Sequence, residues 1–378
     1  MNQRKMSEPH VFLTKSSSPI GFRKKRSSVG NISPLAKTTI INSPIDSPRS
    51  EGERDEDNFC RLQSFIDALS PSFINKRHLQ KLSWKGIAWQ LRHKVWKVLL
   101  GQLPLDQNKQ ASTLQSMREN YKTTRERMLK EIYNYEQSHL VQIRKDLVRP
   151  NKDISFLLNS TIQKMMENVL MVWALRHPAC GYVQGMSDIV VPLVYVYLTE
   201  YTYDEALTDD RIQRIPETIL LWCEADIYYG FDMLMMRIQD HYTLDQQGIM
   251  EKLKRMEVLV SNFAPDLYQH LKSAGVIFIQ FAFRWINCCL LREFSLKSAV
   301  RLWDSYISVE DGNGFGELNL YCCVSLLTYF KSDLMKMDFS EMLQFLQHLP
   351  TENWGDEEIQ ALVSQAFVYQ NSQTQITE

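Results

Sequence analysis

The spacing of apolar residues constrains the fold of this 378-residue chain more than any other feature. From Phe59 onward, apolar side chains recur every three to four positions, as on one face of an α-helix. The clearest run comprises Ile162, Met165, Met166, Val169, Leu170 and Trp173. Strand-like alternation is scarce and no internal repeat is found. The pattern predicts an all-α, two-lobed domain over residues 59–370, with a disordered C-terminus at 371–378.

The first 50 residues have a different composition. They hold nine Lys or Arg against Glu8 and Asp46, about +7, with ten serines and only two aromatic residues. The rest of the chain has 34 basic and 42 acidic residues. A stretch so poor in apolar groups cannot offset its ordering entropy, so residues 1–58, ending in the acidic hinge Glu51 to Asp57, are predicted to form a disordered tail.

Two interpretations of this tail stay open. Four serines precede a proline, and the basic cluster at 23–26 runs directly into Ser27 and Ser28. A phosphate there would reverse the local charge, which suits a regulated docking segment. Residues 16–50 could make such a phospho-dependent contact, or touch an anionic membrane. The alternative is a solvated tail whose kinase-like sites are incidental.

Several classes of site are excluded by their missing patterns. The seven cysteines show no C-x-x-C spacing, which predicts reduced thiols in the cytosol. The most apolar stretch, Ile189 to Leu198, is too short to span a bilayer. No histidine pair has metal-ligand spacing, and no phosphate-binding G-x-x-x-x-G-K-[ST] motif is found. No self-sufficient active site, cofactor site or nucleic-acid site is predicted.

Three short constellations remain. The first is Ile143, Asp146 and Arg149, and the second is Tyr182, Gln184 and Gly185, preceded by Gly181. The third sets Gly86, Arg92 and Trp96 in a G-x-x-x-x-x-R-x-x-x-W arrangement. Each constellation alone is weak evidence of function, since a lone arginine is usually a surface charge and a Gln-Gly step is usually a turn. Their joint occurrence in this order carries the information.

In these motifs the chain resembles the TBC domain of Rab GTPase-activating proteins, whose signatures are I-x-x-D-x-x-R and then Y-x-Q-G. The resemblance covers roughly residues 75–370. Segments around Arg176, Glu224 and Gln239 are most similar to the branch that holds TBC domain family member 22 and a yeast Golgi activator. The chain departs from the usual pattern at Val148, Pro150 and Ser187.

The resemblance implies a Rab-type small GTPase as partner and a location on Golgi or other endomembranes. It assigns Arg149 as an arginine finger and Gln184 as the amide that positions water. The partner would hold GTP and Mg²⁺, so the chain needs no cofactor of its own. Asp146 is expected to anchor the finger loop, with Arg92 as a possible ion-pair partner. Gly181 and Gly185 would let the backbone turn around Gln184, beside Tyr182.

A distance argument adds a structural expectation. The predicted helix Asn159–His177 carries the chain ~28 Å between the two motifs. Nine or ten extended residues reach at most ~30–35 Å. Segment 150–158 is therefore predicted to be a nearly straight strap, starting at Pro150.

Two other functions compete with GTPase activation. One is a Rab-binding scaffold with the fold but little catalytic activity. The other is an unrelated helical adaptor with coincidental motifs. Retention of both Arg149 and Gln184 favours the activator, because a scaffold needs neither.

Overall fold

A computed structural model of the protein describes residues 51–131, 137–147, 154–243 and 246–374. This part of the chain forms helices joined by short connections, and its only β pairing is a bridge between Phe73 and Asp106. The helices are α1 Glu51–Leu69, α2 Lys76–Ser83, α3 Trp89–Leu100, α4 Gln107–Glu131, α5 Gln137–Leu147, α6 Ser160–Arg176, α7 Met186–Thr202, α8 Asp209–Gln213, α9 Glu217–Met235, α10 Gln247–Phe263, α11 Pro265–Ala274, α12 Ala282–Asn287, α13 Leu296–Ser308, α14 Asn319–Tyr329, α15 Lys331–Leu334, α16 Phe339–Gln347 and α17 Asp356–Thr374. Short 3₁₀ turns lie at Ser155–Leu158, Gln239–Tyr242, Phe278–Gln280 and Leu291–Glu293, and a π-helical turn at Gly314–Leu318. The all-α prediction is confirmed for the described residues.

Helix α6 begins and ends where the sequence predicts. The Asn159 side chain accepts hydrogen bonds from the amides of Thr161 and Ile162, which caps the first turn. His177 ends the helix, and every apolar residue of the predicted run is at most 4% exposed. The helix is buried because it packs against α4, α5, α7 and α9.

The straight strap is wrong over residues 155–158. Ser155–Leu158 is a 3₁₀ turn, which brings Phe156 and Leu157 into the core at 5% exposure each. Burial of these two side chains favours the turn over an extended chain. The prediction also assumed that the segment before α6 alone returns the chain to the first motif. The segment after α6 contacts α5 as well, because Gly181 lies beside His139 and Tyr182 hydrogen-bonds to Asp146. The earlier part of the strap, 150–153, lies outside the described residues.

Two groups of packed helices can be distinguished in the described residues. Helices α4 to α7 and α9 pack together, as do α10 to α14 with α17. Helix α3 joins the groups because it contacts α7 and α9 on one side and α13 on the other. At this junction Trp96 stacks on Trp303, with centroids 6.4 Å apart, and both indoles are fully buried. Trp96, Trp285 and Trp303 are thus core residues.

The predicted boundaries differ from the helices by a few residues. Helix α1 begins at Glu51, inside the predicted acidic hinge. Helix α17 continues to Thr374, past the predicted end at 370. The tail at 1–50 lies outside the described residues. In the described residues, no helix is long and apolar enough to cross a membrane.

Candidate functional site

The first motif occupies the last turns of α5. Ile143 is fully buried and fixes the helix against the core, while Asp146 lies near its C-terminal end with its carboxylate partly exposed. Gln142 donates a hydrogen bond to Asp146, 3.0 Å from Nε2 to Oδ1. Arg149, the predicted finger, follows two residues after α5 ends and lies outside the described residues, together with Val148 and Pro150.

The second motif forms the turn that leads into α7, and it contacts the first. The Tyr182 hydroxyl donates to Oδ2 of Asp146 at 2.8 Å. Tyr182 is 6% exposed, and its burial raises the pKa of the phenol well above its ordinary value, so the hydroxyl stays a donor. One buried tyrosine thus joins the glutamine turn to the helix that leads to Arg149.

Gln184 lies at the outer edge of this turn. Its side chain is exposed and hydrogen-bonds to no other described residue, so the amide is available to a partner. Gly185 has φ +103°, and a Cβ there would lie 2.5 Å from Nδ2 of Asn287. Gly181 has φ +63°, and a Cβ there would lie 2.8 Å from the ring of His139. Both positions need glycine for conformation and for space.

Asn287 is a site residue that sequence reasoning missed. It ends α12, is 6% exposed, and its amide packs beneath Gly185. Its backbone carbonyl accepts a hydrogen bond from Tyr242 at 2.9 Å. Nothing in the local sequence signals this role, because Asn287 comes from the other group of helices.

The predicted partnership of Arg92 with Asp146 is wrong. Arg92 lies 3.2 Å from Asp304, a fully buried carboxylate on α13. The same carboxylate accepts from the Ile87 amide at 2.8 Å and the Trp96 indole at 2.7 Å. The third constellation therefore builds a buried junction between α3 and α13. Arg92 was misassigned because its partner lies 212 positions away in sequence.

An open cleft of about 1360 Å³ begins beside the two motifs. One wall includes Asp146 and Leu147 from the first motif, and Ser187 and Asp188 just after the second. The opposite wall is formed by segments 291–297 and 347–352. The cleft thus lies between the two groups of helices and is large enough to accept part of a protein partner.

Two ion pairs line this cleft. Arg284 makes a bidentate contact with buried Glu293, both distances 2.8 Å. Arg292 lies 3.3 Å from Asp188 and keeps 48% of its side chain exposed. Burial raises the pKa of Asp188, and Arg292 counteracts that rise. Arg292 therefore presents a cation to the cleft at a fixed position.

The chain is similar to known proteins over most of its length. The Rab-GTPase-TBC domain family matches residues 89–335. GTPase-activating protein gyp1 of Schizosaccharomyces pombe is 37% identical over 314 residues, 82% of this chain and 61% of that protein. TBC1 domain family member 22A of Homo sapiens is 35% identical over 338 residues, 88% of this chain and 64% of that protein. This chain therefore spans about three-fifths of the length of these two relatives.

A solved structure is similar over the same region. The crystal structure of the Ypt/Rab-GAP domain of Gyp1p matches with a TM-score of 0.78 and 34% identity, covering 83% of this chain and 98% of that one. The family match runs from α3 through α15 and contains both contacting motifs. The chain belongs to the Rab-GTPase-TBC domain family.

Proposed function

We propose that this chain is a GTPase-activating protein for a Rab-family small GTPase, and that it supplies Arg149 and Gln184 to the partner's active site. The observation that carries the proposal is the 2.8 Å hydrogen bond from Tyr182 to Asp146, which ties the glutamine turn to the helix preceding Arg149. Two side chains that act on one phosphate group need such a common support.

The arginine answers an electrostatic need of GTP hydrolysis. Negative charge develops on the phosphate oxygens in the transition state, and an arginine supplied in trans raises the rate by about 10³–10⁵. At 1.36 kcal/mol per decade this is roughly 4–7 kcal/mol. A guanidinium suits the role because its planar fork donates several hydrogen bonds and keeps its proton.

The glutamine answers a geometric need. An attacking water must be aligned on the γ-phosphorus, and a carboxamide can accept one water proton while it donates elsewhere. Gln184 is exposed, uses neither capacity within the described structure, and stands on a turn fixed by Gly185 and Tyr182. GTP and Mg²⁺ belong to the partner in this proposal, so the chain is no enzyme by itself.

The cleft provides the surface on which the GTPase would rest. Asp146 and Ser187 flank the two motifs and also line the cleft, so a partner seated there would bring its nucleotide to Gln184. The place of action, the cytoplasmic face of Golgi or other endomembranes, is part of the proposal and rests on the resemblance to that branch of the family.

GTP hydrolysis by a panel of Rab proteins, with and without the full chain, tests this function. We expect stimulation of at least one Rab and a loss of a hundredfold or more in Arg149→Ala. Gln184→Ala should lose activity to a similar extent while Rab binding persists. Arg127→Ala and Gln115→Ala, exposed residues of the same types on α4, are the matched controls and should keep full activity.

The outcomes separate the activator from its competitors. Rab binding without stimulation would identify a scaffold instead. Full activity in Arg149→Ala would refute the finger assignment. Loss of binding in Gln184→Ala would make Gln184 a docking residue.

A further inference from the structure

Helix α2 carries basic side chains that the proposed function does not use. Its inner face is buried through Leu79, Gln80 and Ser83. The solvent side and the two ends of the helix expose a basic face that consists of Lys76, Arg77, Lys81 and Lys85. Positions 77 and 81 are four residues apart within the helix, so these two side chains point in similar directions, and Lys85 follows two residues after the helix ends. None of the four lines the cleft.

Ion pairs among the described side chains leave most of this basic face without a partner. Arg77 pairs with Glu310 at 3.1 Å, an exposed contact. Lys76, Lys81 and Lys85 form no ion pair with another described residue. Lys109, which follows the bridged residue Asp106 by three positions, pairs with Asp106 at 3.4 Å and keeps 73% of its side chain exposed. Residues 51–378 are acidic as a whole, with 34 basic and 42 acidic side chains, so this concentration of cations is local.

An exposed aromatic ring stands next to the basic face. Phe73 is 64% exposed, three residues before α2 begins, whereas Ile74 is fully buried. The backbone here is held by the bridge to Asp106 and by a hydrogen bond from the Ile74 amide to the Leu105 carbonyl, 2.8 Å. Neighbouring residues of an extended segment point to opposite sides. With Ile74 anchored in the core, Phe73 is therefore held in solvent.

We propose that the basic face and Phe73 form a docking surface for an anionic membrane. Lysines near a negatively charged bilayer are each attracted by its surface potential, and an adjacent aromatic ring can enter the headgroup region. A ring flanked by lysines is the combination that binds anionic headgroups, and an acidic protein is the alternative that the test below distinguishes. The surface is separate from the cleft, so it would hold the protein at a membrane while the cleft stays open.

Vesicle co-sedimentation of the full chain tests the proposal. The probes are phosphatidylcholine vesicles with and without about one-third phosphatidylserine. We expect binding to the anionic vesicles only, decreasing as salt rises. Lys76→Glu/Lys81→Glu/Lys85→Glu should weaken the partition about a hundredfold or more, because each lysine contributes about fivefold. Phe73→Ser should weaken it several-fold at unchanged charge.

A matched control separates this surface from net charge. Lys122→Glu/Arg127→Glu/Lys254→Glu makes the same charge change at exposed positions on α4 and α10. We expect this control variant to retain most of the vesicle binding. The N-terminal tail is present in every variant, so its contribution to binding is the same in all of them. A loss equal to that of the triple-lysine variant would overturn the proposal. If Phe73→Ser leaves the binding unchanged and polyglutamate competes with it fully, the ligand is an acidic protein. That result would also overturn the proposal. Unchanged thermal unfolding and Rab stimulation in solution would show that the variants are folded.

Discussion

Replacing Tyr182 with phenylalanine removes one oxygen atom from the contact between the two motifs. The lost hydrogen bond is 2.8 Å long and ends on a carboxylate, and such bonds are worth about 1.5–3 kcal/mol. Asp146 keeps its contact with Gln142 and some access to water, so we expect the lower part of that range, about 1.5–2 kcal/mol of unfolding free energy.

The effect on function should exceed the effect on stability. Without the bond, the turn that holds Gln184 can shift relative to α5, and a displacement near 1 Å can cost about 10² in rate. We expect Tyr182→Phe to lower the stimulated rate of GTP hydrolysis by about 10- to 100-fold, with Rab affinity changed by less than about threefold.

Single-turnover hydrolysis with a saturating activator, together with a binding titration, measures both quantities. Tyr268→Phe is the matched control, because the Tyr268 hydroxyl also donates to a carboxylate, that of Glu257 at 3.1 Å, away from the cleft. Asp146→Asn and the double variant complete a cycle in which the two losses should not add. Wild-type stimulation by Tyr182→Phe would refute the idea that this bond positions Gln184.

Three further predictions concern the buried groups. Asp304→Asn leaves the Arg92 guanidinium buried without its counter-charge, so urea unfolding should show a loss of about 3–5 kcal/mol. Gly185→Ala should cost about 1–3 kcal/mol and lower the stimulated rate, because the new Cβ meets Asn287; Gly101→Ala, at φ +90° with open space around it, should keep the rate. Burial, reinforced by the Lys252 ammonium 2.9 Å away, lowers the pKa of His241 to about 4. As the pH falls, the unfolded chain binds this proton before the folded chain does, so about 3 kcal/mol of stability should be lost between about pH 6.5 and about pH 4. His241→Gln should flatten the urea midpoint as a function of pH over this interval. Equal slopes of that profile in the wild type and in His241→Gln would contradict the prediction.

The local sequence predicted the helices well because their signals are local. The apolar run of α6 and its cap Asn159 define that helix within the segment itself. The two motifs were likewise readable, since a TBC signature depends on spacing along the chain. The strap at 155–158 was mispredicted because a limit on distance does not determine the conformation of the segment. Burial of Phe156 and Leu157 favours the 3₁₀ turn instead.

By itself, then, the sequence determined that the described residues are helical. That two motifs, ending in Arg149 and in Gln184 with Gly185, form the functional centre stays a prediction from the sequence. Tertiary structure alone decided which groups meet. It paired Arg92 with Asp304 instead of Asp146, joined Asp146 to Tyr182 by a hydrogen bond, and placed Asn287 under Gly185. The physical reason is that helical periodicity repeats every few residues, whereas a buried charge or amide takes whatever partner the packing of distant helices brings within about 3 Å.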